Sequence, residues 1–143
     1  MSTITSANSV YSLSVAGLFP VPQVLQGYAA DDGFTSEAVV NAETVMGLDG
    51  HLSGGFVFNP VKQTITIMPD SPSLLIFQQW ANQQYGTREV IIANATIAIP
   101  SIGQTYAMTR GFLTSYMPIP DVKKVLQPLK FEITWGSIIG API

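Results

Sequence analysis

His51 is the single histidine of this chain, cysteine is absent, and the charged side chains amount to nine carboxylates and six bases. That set leaves little to do chemistry with. A tetrahedral metal site draws on several His or Cys ligands, and His51 has no such companion. Asp31 and Asp32 are adjacent, but no spaced series of oxygen ligands follows them as in a calcium loop. Ser53 sits in Gly50-His51-Leu52-Ser53-Gly54-Gly55, where His51 occupies the place that a hydrolase elbow reserves for glycine. Glu37 and Glu43 are the right residue type for a glycosidase pair. Read on one extended strand, they share a face about 20 Å apart, too far for joint acid–base work. None of the glycine clusters is followed by the Lys and Ser/Thr of a phosphate-cradling loop. Asn94-Ala95-Thr96 fits the glycosylation acceptor pattern by coincidence, mid-strand and with no secretory leader read in the sequence. No basic patch with interleaved aromatics is there to grip nucleic acid. The expectation is a protein that is not an enzyme, with no catalytic residues, metal or cofactor.

Composition points towards assembly instead. Charged residues make up 10% of the chain, against about a quarter in an average soluble domain. A surface so poor in charge calls for cover, and other protein subunits are the expected cover. The charge is also lopsided. Asp31, Asp32, Glu37, Glu43 and Asp49 give the stretch before Lys62 a net charge of −5, and the remainder carries +2. A one-signed half over a Ser/Thr/Ala/Val/Ile-rich chain fits an oriented structural surface. Hydrophobic residues reach 47%, yet no apolar run approaches the ~18 residues of a membrane span. The start of the chain lacks the basic and apolar blocks of a signal peptide. Without cysteine there is neither a disulfide framework nor a zinc–thiolate site. Synthesis and assembly in the cytoplasm are expected.

The elements read as many strands and one helix. Tyr11, Leu13 and Val15 alternate with small or polar residues as a half-buried strand does. Residues 35 to 46 read as one long extended stretch, which turns at Gly47-Leu48-Asp49-Gly50 and returns from His51 to Phe58 as a glycine-rich hairpin arm. Asn59-Pro60 marks a turn, after which Ile65 and Ile67 share one face. Ser71 and Pro72 form a helix-start signal. Leu74, Phe77, Ala81 and Tyr85 then recur at helical spacing, with Leu75, Ile76 and Trp80 beside them and Gly86 as the stop. Residues 88 to 99 form a strand small or apolar on both faces, which predicts cover on both. Residues 104 to 117 form another, bulged near Gly111. Pro118-Ile119-Pro120 opens a connection carrying Asp121, Lys123 and Lys124, and the closing strand alternates Leu129, Phe131, Ile133 and Trp135 with polar residues. Mainly β, a β-sandwich or small barrel with one α-helix packed against it, is the fold class expected over a single domain, residues 1–143.

In chain order, the strands, the hairpin around Gly47 to Gly55, Thr64-Ile65-Thr66-Ile67 running into the helix from Pro72, Ile99-Pro100-Ser101, Gly111 and the closing Leu129-Lys130-Phe131-Glu132-Ile133-Thr134-Trp135-Gly136 resemble tail tube proteins of contractile-tailed phages. The likeness covers about Val10 to Ile138. It implies the fold shared with the tube of type VI secretion, six copies in a ring whose inner strands join, and rings stacked through a hairpin and an N-terminal arm, here residues 1–9. It also implies a virion tail location, with sheath and baseplate proteins as further partners and DNA passing through without specific binding.

On that resemblance, Thr44 to Phe56 with Gly47, Asp49, Gly50 and His51 corresponds to the ring-stacking hairpin. Glu37 and Glu43 are candidate lumen-lining acids, since an anionic or hydroxyl-rich wall lets DNA slide where a basic wall would hold it. Ile91, Ala93, Ala95 and Ile97 are the candidate inter-subunit strand, because the stretch has one charge, Glu89, and no proline to protect an edge. A tube subunit of a related contractile injection or secretion system is the alternative. A soluble β-sandwich binding module is the alternative of another class, with Trp80, Tyr85 and Tyr106 as its available aromatics.

Overall fold

The structure is a computed structural model, and it describes residues 9–25 and 33–142. Asp31, Asp32 and all of the expected N-terminal arm except Ser9 lie outside the described residues. The chain runs through β1 (Val10–Val15), β2 (Phe19–Val24), β3 (Phe34–Ser36), β4 (Ala42–Met46), β5 (Leu52–Phe56) and β6 (Val61–Ile67). Helix α1 (Leu74–Thr87) follows, then β7 (Ala93–Ile99), a 3-10 turn at Pro100–Ile102, β8 (Gln104–Tyr116) and β9 (Leu129–Pro142).

Seven strands form one sheet in the order β2-β1-β7-β8-β9-β6-β3, with every pairing antiparallel. The fold is mainly β with one helix, as the sequence implies, but the sheet is neither a second-layer sandwich nor a hydrogen-bonded barrel. It curls until its far strands meet through side chains. Tyr11 of β1 packs edge-on against Phe34 of β3 with ring centroids 5.2 Å apart. The Tyr11 hydroxyl donates to Gln63 Oε1 of β6 at 2.8 Å. The Trp135 indole N–H donates to the same oxygen at 3.1 Å, so Gln63, 3% exposed, joins three strands inside the core.

Period-two patterning explains which faces turn inward. Tyr11, Leu13 and Val15 of β1 and Leu129, Phe131, Ile133 and Trp135 of β9 are all buried, as strand geometry requires of alternate residues. On β6 the alternation fails at Thr66, which is buried along with Ile65 and Ile67. The bulge expected near Gly111 falls at Arg110, which has φ 53°, where the β7–β8 register shifts between Ala93 and Ala95. Gly111 itself is needed for another reason: a Cβ there would overlap the Trp135 ring.

Helix α1 caps one end of the roll. Phe77 stacks on Phe131 at 4.6 Å, the Trp80 indole donates to the Ile91 carbonyl at 3.2 Å, and Ile76 and Ala81 complete the buried face. The start differs from expectation by two residues. Ser71 and Pro72 lie in a turn ahead of the helix, where Ser71 Oγ accepts the Ser73 N–H at 3.1 Å. The end differs too, since the helix continues through Gly86 and stops where Arg88 adopts a left-handed conformation. Tyr85 and Leu75, expected on the apolar stripe, are exposed.

Candidate assembly surfaces

The feature that stands apart is the hairpin. β4 and β5 form a two-stranded sheet of their own, and every residue from Thr35 to Phe56 is exposed. Val45 is 71% exposed and Phe56 67%, with Met46, Leu48 and Leu52 also open to solvent. An isolated two-stranded ribbon is marginal in water, and this one presents apolar side chains with no body behind them. Its turn is nevertheless well built. The Gly47 N–H donates to the His51 carbonyl at 2.8 Å and the Gly50 N–H to the Gly47 carbonyl at 3.0 Å. The His51 N–H donates to Asp49 Oδ1 at 3.0 Å, and Gly50 supplies the positive φ of 84°. Gly47, Asp49, Gly50 and His51 therefore shape the tip. At the base, Asn59 Nδ2 donates to the Val40 carbonyl at 2.6 Å, and the Val57 N–H donates to the Asn41 carbonyl at 3.1 Å.

Strand register fixes where the hairpin leaves. β6 begins with Val61 beside Trp135 and ends with Ile67 beside Leu129. β3 runs the opposite way along β6, and the Glu37 N–H is bonded to the Lys62 carbonyl. The arm thus departs towards the Pro142 end of β9. The connection from residue 117 to 128 lies beyond Tyr116 and Leu129, off the opposite end.

Glu37 and Glu43 do not share one strand. Glu37 follows β3, Glu43 lies in β4, and residues 37–41 between them have no regular structure. Both are exposed on the arm. The outward face of the sheet is a different surface. It carries Ser12 and Ser14 of β1, Asn94 and Thr96 of β7, Thr114 of β8, and Glu132 and Thr134 of β9. Its hydroxyls pair across strands, as Thr114 Oγ1 does with Thr134 Oγ1 at 3.1 Å. Ser14 Oγ donates to the Asn94 carbonyl at 3.3 Å. Such pairing covers much of the face with hydroxyls, and exposed Lys62 of β6 and Lys130 of β9 lie on the same side as Glu132.

The inter-subunit strand is corrected. β7 is bonded to β1 on one side and β8 on the other, so its backbone has no free edge. Ala93, Ala95 and Ile97 are buried in the chain's own core, and Ile91 precedes the strand and packs against that core. Absence of charge and proline marks a central strand as readily as an adhesive edge. One face of β7 is covered by the chain's own core, while Asn94 and Thr96 on the other have no cover from this chain. The true edges are β2, with Pro20 and Pro22 as edge protection, and the three-residue β3.

The aromatics of the binding-module alternative do not converge. Trp80 is buried on the inner face of the helix, Tyr85 is exposed beside Arg88, and Tyr106 lines a cavity of ≈ 320 Å³ with Phe34, Gln63 and Met108. Among the described residues no three His, Asp or Glu side chains gather as metal ligands. No helix there is long and apolar enough to cross a membrane.

A family model described as tail fiber protein gp32 matches residues 2–139. The chain belongs to that family. No curated protein matches it significantly. Among solved structures, a chain in the sheath–tube complex of an extracellular contractile injection system (PVC, extended state) is 13% identical, with TM-score 0.62 over 93% of this chain and 88% of that one. A chain in the anti-feeding prophage baseplate is 12% identical, with TM-score 0.61 over 99% and 98%. A chain in the anti-feeding prophage cap, which terminates the tube, is 8% identical, with TM-score 0.64 over 100% and 93%. This gp32-family chain therefore has the fold seen in contractile tail-tube assemblies, as the sequence resemblance implies.

Proposed function

We propose that this chain is a structural subunit of a phage tail tube that assembles into hexameric rings, stacked as a conduit for DNA ejection. The observation that carries the reading is the β4–β5 hairpin, exposed along its whole length with Val45, Met46, Leu48, Leu52 and Phe56 open to solvent, and leaving towards one end of the sheet. A surface of that kind gains stability only when another protein covers it. The hydroxyl-paired outward face of the sheet is the wall a polyanion would meet, and its exposed bases, Lys62 and Lys130, would hold the phosphates more than the hydroxyls do. On this reading Glu37 and Glu43 meet the lumen or an adjoining copy where the arm leaves the sheet. Ring contacts then fall to the outer strands of the sheet, β2 and β3, and not to β7, with the prolines of β2 limiting backbone pairing on its side. Sheath and baseplate proteins are the further partners, and the virion tail is the location. A related injection or secretion tube would use the same subunit surfaces with a different cargo.

Negative-stain microscopy of the concentrated protein tests the reading, with six-fold rings or tubes expected. Monomers alone at high concentration would overturn it. The family's description favours a second reading, a tail-fibre component, for which the same images would show thin, solid rods without a central channel.

A further inference from the structure

The roll opens near one end of the sheet. Pairing of β9 with β6 stops at Trp135 beside Val61, whereas β9 stays bonded to β8 as far as Pro142. Where the strands part lies a cavity of ≈ 320 Å³, lined by residues of β3 and β6 and of β7, β8 and β9. Gln63, 3% exposed, is the buried polar side chain among its described lining residues. The orientation of its amide is set by its neighbours. The Trp135 indole can only donate, so the atom that receives its N–H at 3.1 Å is the oxygen. The Tyr11 hydroxyl donates to the same oxygen at 2.8 Å. That leaves Nε2 and its two N–H groups, which have no acceptor among the described residues. Buried donors are nearly always paired, and the cavity is the space in which a partner for this one can sit.

We infer that this cavity binds a small uncharged molecule, apolar over most of its body, whose oxygen accepts a hydrogen bond from Gln63 Nε2. The inference goes beyond the tube reading and stands on the chain's own residues. Phe34, Ile97, Ile99, Met108 and Ile138 supply an apolar lining, which favours hydrocarbon over water. An apolar cavity of about 150 Å³ takes up benzene, so this one, at ≈ 320 Å³, has room for a benzene ring with a short substituent. No Asp, Glu, Lys, Arg or His is among its described lining residues, so a charged group would give up its hydration without a counter-charge. A water molecule would meet the N–H groups but leave the apolar wall without its dispersion contacts. Ser36, exposed at the end of β3, marks the side on which the cavity meets solvent.

A matched pair of probes tests the site. Acetophenone carries a carbonyl acceptor, and ethylbenzene has the same ring and nearly the same volume without one. Titrated into the dispersed, isotope-labelled full chain, acetophenone should shift the Gln63 side-chain amide resonances saturably. It should also bind about three- to tenfold more tightly than ethylbenzene, the weight of one net hydrogen bond. Ser36→Trp, which sets a large side chain at the mouth, should abolish saturable binding of both probes. Ile138→Phe, on another wall of the cavity, serves the same purpose should Ser36→Trp fail to fold. Equal affinity for the two probes would deny the amide any part and overturn the inference. Absence of saturable acetophenone binding at millimolar concentration overturns it as well, as do shifts that bypass Gln63 or binding that survives in a folded blocking variant. Each of these failures leaves the tube reading untouched.

Discussion

Gln63 shows how much of this core depends on one polar atom. Its Oε1 accepts from both the Tyr11 hydroxyl and the Trp135 indole, tying β1 to the paired strands β6 and β9 across the curl of the sheet. Replacing it with leucine keeps the volume but removes the acceptor of two buried donors. Since a buried donor without a partner costs about 1–3 kcal/mol, Gln63→Leu should destabilise the dispersed chain by about 2–4 kcal/mol in urea denaturation. Tyr11→Phe, which deletes one donor with its bond, should cost nearer 1 kcal/mol. Gly111 is the steric counterpart. A Cβ there would enter the Trp135 ring, and overpacking of a well-filled core costs about 1–3 kcal/mol. Gly111→Ala should lower the urea midpoint accordingly, and an unchanged midpoint would show that Trp135 moves aside freely.

At the scale of elements, the helix and the hairpin are opposites. Helix α1 is held by its contacts with the sheet, with Phe77 stacked on Phe131 and the Gln84 side chain bridging the Leu113 carbonyl and the Ile91 N–H. Phe77→Ala should cost about 3–5 kcal/mol, whereas Leu75→Ala on the exposed side should stay within about 0.5 kcal/mol. Equal melting of the two variants would mean that the buried face has been misplaced. The β4–β5 ribbon makes no comparable contact with the sheet, and its apolar side chains face solvent. Replacing residues 42–56 with a short turn should therefore leave the urea midpoint of the dispersed chain nearly unchanged and abolish stacking in micrographs. Loss of folding would instead make the ribbon part of the domain's own stability.

For the whole molecule, the acids of the projecting arm and the bases of the β8–β9 connection lie towards opposite ends of the sheet. Glu37→Lys/Glu43→Lys distinguishes the two places open to these acids. If they line a hydrated lumen, tubes should persist and DNA passage should slow, because added bases recruit the phosphate backbone. If they face Lys123 and Lys124 of a neighbour, like charges meet and tubes fail to form. Their position on the projecting arm leads us to expect the second outcome, which electron microscopy of the double variant reads directly.

Side-chain order along the chain was enough to place the main periodic elements, though not the ends of the helix or the break between β3 and β4. The alternation in Tyr11–Val15 and Leu129–Trp135, the glycine turn of the hairpin and the apolar stripe around Phe77 are period and turn effects, decided by residues a few positions apart. The bulge was legible for the same reason, since Gly111 interrupts a strand pattern and the left-handed Arg110 lies next to it. What sequence order left open was the set of neighbours. The burial of Ala93, Ala95 and Ile97 was readable, but whether β1 and β8 or another copy pairs with their backbone depends on residues far upstream in Val10–Val15 and downstream in Gln104–Tyr116. The separation of Glu37 from Glu43 was hidden likewise, because an extended stretch and a strand followed by an unpaired linker have the same side-chain pattern. Gln63 looked like an ordinary polar residue until folding brought Tyr11 and Trp135 to it. The opposite placement of the acidic arm and the basic connection is a matter of strand register, and register belongs to the assembled sheet alone.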